Sequence, residues 1–324
     1  MPKEGAKVYL HLTEKCNSNC KHCYLGSKKN QDFLSWEQIE KSLRFFREKG
    51  FSSLQITGGE PYFSAYFYQT ISLANKLGYD YIGVSTNGTR PEIIDKLTPQ
   101  QVQKFSFSLD GATPETDDYI RGTGHFNTCI LSIKKAVQKK FRVHVIFCIN
   151  KINVMEIEKV INLADSMGIN QLSFNFTSYM GNAKKNKQIL ITPKDWIKIR
   201  KKIQKIDTCK KTSLKIPYCF ITKAEYKKLF KESFICPIDK PRQIIIFPNG
   251  NIYHCCLLTE QKFLKAGNVD KEKIVYNENG PKEIKQNFPS PCPAYLLLTQ
   301  NTKINQEKII PICVYLKKII KPKG

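Results

Sequence analysis

The sequence predicts an α/β fold: a partial (β/α)6 TIM-like barrel followed by a smaller α+β domain. Three observations predict it. Six β-then-α units run in succession, which calls for parallel strands joined by right-handed crossovers. Six is fewer than the eight that close a (β/α)8 barrel, so the barrel is expected to stay open. Unusual polar, cysteine and glycine segments follow each of the first four strands, on the rim where such barrels build their sites.

Strands are expected at residues 7–13, 53–57, 81–86, 104–109, 142–149 and 171–176. Helix-length segments lie between them at 35–49, 66–77, 91–97, 127–139 and 154–167, with apolar residues at three- and four-residue spacing such as Ile39, Leu43 and Phe46. Ser35 reads as an N-cap with Gln38 three residues on. Gly50, Gly78 and Gly168 follow helices, where a left-handed residue ends the turn. A sixth helix, 193–206, opens with Thr192-Pro193. After residue 207 the rhythm stops, and residues 243–247 and 252–255 flank Pro248-Asn249-Gly250-Asn251 as a β-hairpin. We expect domains at 1–207 and 208–324.

The chain has 324 residues and 41% hydrophobic content, enough for a sizeable core. No secretory signal, transmembrane run or leader-reading domain is expected ahead of the first strand. The twelve cysteines then point to a reducing, cytoplasmic setting in which clustered thiols bind metal. The net charge of +24 favours anionic partners, although the lysine pairs are scattered as on solvated helix faces. Zinc-finger, RNP and helix-turn-helix signatures are absent, so nucleic acid is not the expected partner.

Cys16, Cys20 and Cys23 stand as C-x3-C-x2-C in the loop after the first strand. Thiolates suit iron, and three of them on a four-iron cubane leave one iron open to a small molecule. A zinc site is the alternative, with His11 or His22 as fourth ligand. Thr57-Gly58-Gly59-Glu60-Pro61 follows the second strand, Ser85-Thr86-Asn87-Gly88 the third and Ser108-Leu109-Asp110-Gly111 the fourth. Glycines at 58 and 59 would let backbone approach a ligand without a Cβ clash.

The cysteine loop and the Gly-Gly-Glu-Pro segment together resemble the radical S-adenosylmethionine (SAM) superfamily. The resemblance covers about residues 7–176 well and 236–313 partly. It implies a [4Fe–4S] cluster on Cys16, Cys20 and Cys23, SAM on the open iron, and reductive cleavage to a 5′-deoxyadenosyl radical. It also implies SAM contacts from Tyr24, Gly58, Gly59, Glu60 (to the ammonium), Ser85, Thr86, Asn87, Ser108, Asp110 and Arg121 (to the carboxylate). His22 departs from the family, which has an aromatic residue just before the third cysteine.

The spacing from Cys236 through Gly250 to Cys255 resembles the opening of a SPASM or twitch extension, although the full SPASM cysteine pattern does not follow. A twitch-like domain with one auxiliary [4Fe–4S] cluster on Cys236, Cys255, Cys292 and Cys313 is implied, with Cys219 as a substitute ligand. Cys256 is then spare, because successive strand residues face opposite sides. It resembles the hydrogen-donor cysteine of peptide epimerases; packing in the core is the alternative. Cys129, Cys148 and Cys209 read as ordinary thiols.

The implied function is modification of a ribosomally made peptide, with an acidic leader and an electron donor such as flavodoxin or ferredoxin. L-to-D epimerisation through Cys256 leads. Thioether or C–C cross-linking, a small-molecule dehydrogenase, a maturase of a folded protein and an iron–sulfur nucleic-acid-binding protein remain alternatives.

Overall fold

A computed structural model describes residues 5–26, 32–206, 211–229, 243–258, 265–277, 292, 309–313 and 317–320. The predicted strands appear as β1 (Lys7–His11), β2 (Ser53–Thr57), β3 (Tyr81–Thr86), β4 (Lys104–Ser108), β5 (Arg142–Ile149) and β6 (Gln171–Phe176). Between them run α1 (Trp36–Glu48), α2 (Phe67–Lys76), α3 (Glu92–Asp95), α4 (Pro114–Arg121), α5 (His125–Gln138) and α6 (Ile157–Ser166). Then follow α7 (Pro193–Lys205), β7 (Ser213–Pro217), β8 (Phe220–Thr222), α8 (Lys223–Leu229), β9 (Gln243–Ile246) and β10 (Asn251–Tyr253). β11 (Gly267–Val269), β12 (Ile274–Tyr276), β13 (Ile309–Pro311) and β14 (Lys317–Ile320) complete the described elements.

The local signals fold as their chemistry dictates. Ser35 and Gln38 make a reciprocal capping box on α1, with N···O distances of 3.3 and 3.0 Å. Ile39, Leu43 and Phe46 form the buried face of that helix. Gly50, Gly78 and Gly168 have φ of +82°, +71° and +70° where α1, α2 and α6 end. The helix expected at 91–97 shrinks to α3, and α4 occupies a stretch in which no helix was expected.

β1 to β6 pair in parallel and in chain order, and β7 adds parallel to β6 while β9 adds parallel to β1. The parallel sheet thus gains two strands over the expected six, both from beyond residue 207. β7 alternates Leu214 and Ile216 inward with Ser213 and Lys215 outward, but it spans only five residues, Ser213–Pro217. β9 belongs to the predicted hairpin, whose place beside β1 no local pattern encodes. Antiparallel β10 and β14 occupy the outer edges of the parallel set, so the sheet is open there. β8 and β13 pair separately.

Alternation along the strands separates two faces. Val8, Leu10, Leu54, Ile56, Phe107, Val145, Phe147, Leu172 and Phe174 are fully buried among the helices. Each such side chain contributes on the order of 1.5–3 kcal/mol by leaving water. The other face is polar: Gln55 donates to Ser85 at 3.0 Å, and His144 bridges Ser106 (3.2 Å) and Ser173 (2.8 Å). No described helix is long and apolar enough to cross a membrane.

Candidate active site

The four special segments meet on the rim at the C-terminal ends of β1 to β4. The cysteine loop leaves β1 under tight backbone control. Gly59 N–H donates to Thr13 O (2.7 Å), Glu60 N–H to Lys15 O (2.8 Å), and Cys23 N–H to Cys20 O (3.1 Å). A Cβ on Gly58 would lie 2.4 Å from Thr13 O, and one on Gly59 would lie 2.3 Å from Lys15 O. The glycine pair therefore admits the cysteine loop itself, an approach that no side chain at these positions allows.

Glu60 is fully buried and links two strands. One carboxylate oxygen accepts from the Thr86 hydroxyl at 2.8 Å, the other from Asn87 N–H at 2.6 Å. Asn87 in turn donates to Asn17 Oδ1 (2.8 Å) and Ser18 Oγ (3.3 Å), and its amide lies 3.8 Å from Cys16 Sγ. Ser85 lies under this network on Gln55, and Ser108 offers its carbonyl to the Cys129 thiol at 3.7 Å.

Asp110 is fully buried and acts as a hub. Its Oδ1 accepts from Cys148 N–H at 2.6 Å, and its Oδ2 faces Arg121 Nη2 at 2.6 Å and His22 Nε2 at 3.2 Å. Arg121, buried at the end of α4, also points Nη1 at Cys20 Sγ, 3.7 Å away. Burial pushes the Cys20 thiol up to about 11, against the downward pull of Arg121. Burial also lowers the His22 pKa, and Asp110 partly restores it. Ligand-type atoms of His22, Asp110 and Cys148 gather within 4.8 Å. The Arg121 cation on the same carboxylate makes this a charge-paired network and a poor cation seat.

The Tyr24 ring is 38% exposed, but its hydroxyl turns inward to His11 Nε2 at 3.4 Å. Burial of that hydroxyl raises its pKa, and the Cys256 and Cys23 thiols add to the rise. His11 stacks on Phe247 with centroids 4.3 Å apart, and burial lowers its pKa to about 3.

A further clasp was invisible in the sequence. Asn182 donates its backbone N–H to Cys23 O and its amide to Cys20 O and Asn19 Oδ1, each at 2.9 Å. Asn186 donates to Lys21 O at 3.1 Å. A Cβ on Gly181 would meet Cys23 O at 2.3 Å. Only a Gly-Asn pair after β6 hints at this in the sequence, 160 residues from the loop it holds.

The donor set fits an iron–sulfur cluster. The thiols of Cys16, Cys20 and Cys23 do not gather within 4.8 Å as one ion would need; tetrahedral thiolates on zinc sit roughly 3.8 Å apart. N–H groups of Ser18 (3.5 Å), Asn87 and Arg121 are aimed at two of the three sulfurs, as suits an anionic group.

Cys255 and Cys256 hydrogen-bond to each other through their thiols, which raises the Cys255 pKa, with burial and then the Cys256 and Cys292 charges adding to the rise. The expectation that Cys255 and Cys256 face opposite ways fails because β10 ends at Tyr253 and Cys256 opens a 3-10 turn. Strand alternation no longer applies there. Cys219 and Cys313 flank the β8–β13 pair, where Ile312 N–H donates to Cys219 O at 2.7 Å. Cys219 has φ of +50°. Cys236 lies outside the described residues, as does Cys209.

Residues 10–164 match the family model described as the radical SAM superfamily. The chain carries a radical SAM domain. Among curated relatives, the chain is 28% identical over 166 residues to the probable GTP 3′,8-cyclase of Saccharolobus solfataricus, covering 50% of this chain and 54% of that one. The chain is 28% identical over 258 residues to the antilisterial bacteriocin subtilosin biosynthesis protein AlbA of Bacillus subtilis, covering 76% of this chain and 57% of that one. The chain thus spans about half the length of the curated relatives it matches. Its fold resembles Streptococcus suis SuiB bound to precursor peptide SuiA, with a TM-score of 0.66, 15% identity, and 83% and 63% coverage.

Proposed function

We propose that this radical SAM chain modifies a ribosomally made peptide. The observation that carries the proposal is the cysteine loop, clamped from both sides with N–H donors aimed at its sulfurs. AlbA takes part in making a bacteriocin, and SuiB has been seen with a precursor peptide, which supports a peptide substrate. The cluster would supply the electron that cleaves SAM to the hydrogen-abstracting radical.

Cys16, Cys20 and Cys23 would hold that cluster, and Tyr24, Gly58, Gly59, Glu60, Ser85, Thr86, Asn87, Ser108, Asp110 and Arg121 would shape the SAM site. Glu60 does so by fixing the end of β3, and Asn182 by fixing the loop. We read residues 1–207 as the catalytic barrel and 208–324 as the auxiliary-cluster domain. Its cluster would use Cys236, Cys255, Cys292 and Cys313, with Cys219 able to replace one of them. The +24 charge suits an acidic leader. Flavodoxin or ferredoxin would serve as electron donor.

L-to-D epimerisation uses Cys256 as the hydrogen donor, and its half-buried thiol beside Tyr24 supports that role. The second reading is cross-linking. It is favoured by the contact of Cys256 with Cys255, which draws Cys256 into the auxiliary thiol set. Incubation with peptide, SAM and reductant separates them by mass. Epimerisation leaves the peptide mass unchanged, and cross-linking removes two hydrogens. A D-residue product from Cys256→Ala would rule out the donor role. Absence of 5′-deoxyadenosine from the iron-loaded chain would overturn the radical SAM activity itself.

A further inference from the structure

We infer that Arg121, held by Asp110, sets the reduction potential of the cluster on Cys16, Cys20 and Cys23. The inference rests on the proposed cluster site.

Arg121 is 7% exposed, and its side chain spans two partners. Nη2 lies 2.6 Å from the fully buried Asp110 carboxylate, and Nη1 lies 3.7 Å from Cys20 Sγ. A guanidinium presents its donors in a planar fork, so fixing one edge on a carboxylate fixes the direction of the other. Asp110 is itself immobilised. Its Oδ1 accepts from Cys148 N–H, its carbonyl accepts from Asn153 Nδ2 at 2.9 Å, and its own N–H donates to Asp117 Oδ1 at 2.7 Å. Asp117 is anchored in turn on His125 at 2.5 Å. The donor aimed at Cys20 is therefore positioned by a buried chain that runs from His125 through Asp117 and Asp110 to Arg121.

Hydrogen bonds to cluster sulfurs and nearby charge are among the levers that set an iron–sulfur potential. An electron added to the cluster is stabilised by a cation and an N–H aimed at its thiolate. Asn87 and Ser18 N–H also reach Cys16 Sγ, but both are neutral. Arg121 alone among these donors brings a full charge in low-dielectric surroundings, so its effect dominates. In this role Arg121 is a positioning and tuning residue that acts through Cys20. The SAM-carboxylate role expected from the family resemblance makes a different prediction, because it requires SAM.

The test is an anaerobic redox titration of the full chain without SAM, following the electron paramagnetic resonance signal that changes when SAM is later added. Arg121→Gln is expected to move that potential to more negative values. Arg121→Lys keeps the charge but loses the fork, so a smaller shift in the same direction is expected. Should Arg121→Gln lose its iron, Arg121→Lys alone decides: a fall supports the inference and no change overturns it. An iron-loaded Arg121→Gln with the parent potential overturns the inference even if its SAM affinity falls. A parent chain that assembles no SAM-responsive cluster overturns the site reading itself, and iron analysis of the parent separates that outcome from the others.

Discussion

The cysteines at the two ends of the chain are held in opposite ways. Cys16, Cys20 and Cys23 share one loop whose carbonyls are gripped by Gly59 and Glu60 from the segment after β2 and by Asn182 and Asn186 from the segment after β6. Cys255, Cys292, Cys219 and Cys313 come from separate parts of the chain, and the Cys256 and Cys292 thiols act on Cys255. When ligands share a loop, sequence spacing already states their geometry. When they come from several elements, the fold has to be known first.

The largest effect should come from breaking the shared loop. Cys20→Ala removes one of three cluster ligands, so 5′-deoxyadenosine formation should fall to background, with iron per chain dropping by the share of that cluster. Cys255→Ala should lower iron by the auxiliary share and leave SAM cleavage measurable. Equal loss of SAM cleavage in both variants would erase the contrast between the two sets.

Next comes the grip on the loop. Gly59→Ala places a methyl 2.3 Å from Lys15 O and 2.4 Å from Glu14 O. Backbone on both sides has to move, at a cost of about 1–3 kcal/mol, and the N-terminal cluster should be lost faster to a chelator. Gly250→Ala is its counterpart in the later region. Gly250 has φ of +78° in the β9–β10 turn, and a Cβ there would meet Val269 O at 2.1 Å. Its loss of thermal stability should be similar, while release of iron from the N-terminal cluster should match the parent.

How much of this was readable follows from the same contrast. β1 to β6, the Ser35 cap, the αL glycines and the turn at Gly250 were legible because each is a local pattern. The rim segments were legible because parallel strands in chain order put their C-terminal ends together. The pairing of β9 with β1, the clasp of Asn182 on Cys20 O and the seat of Arg121 on Asp110 were not. Each joins residues far apart in sequence through a carbonyl or a carboxylate that carries no periodic signal. The orientation expected for Cys256 rested on a strand through Cys255, whereas β10 ends at Tyr253.

The smallest effect tests how the two regions are joined. Gln38 has two jobs: its Oε1 accepts from Ser35 N–H in the α1 capping box, and its Nε2 donates to Val269 O at 2.9 Å on β11. Val269 N–H in turn donates to Gly250 O at 2.8 Å, so one glutamine ties α1 to the β9–β10 turn. Ser35→Ala removes the cap side chain, for which about 1 kcal/mol is typical. Gln38→Ala removes the reciprocal arm of the cap and the link together, and a net hydrogen bond is worth roughly 0.5–1.5 kcal/mol. If the link matters, Gln38→Ala should destabilise Gly250→Ala less than it destabilises the parent, because the turn that the link supports is already strained. A double-mutant cycle on thermal unfolding reads that coupling, and additivity within about 0.3–0.5 kcal/mol would mean that the regions touch at Gln38 without supporting each other.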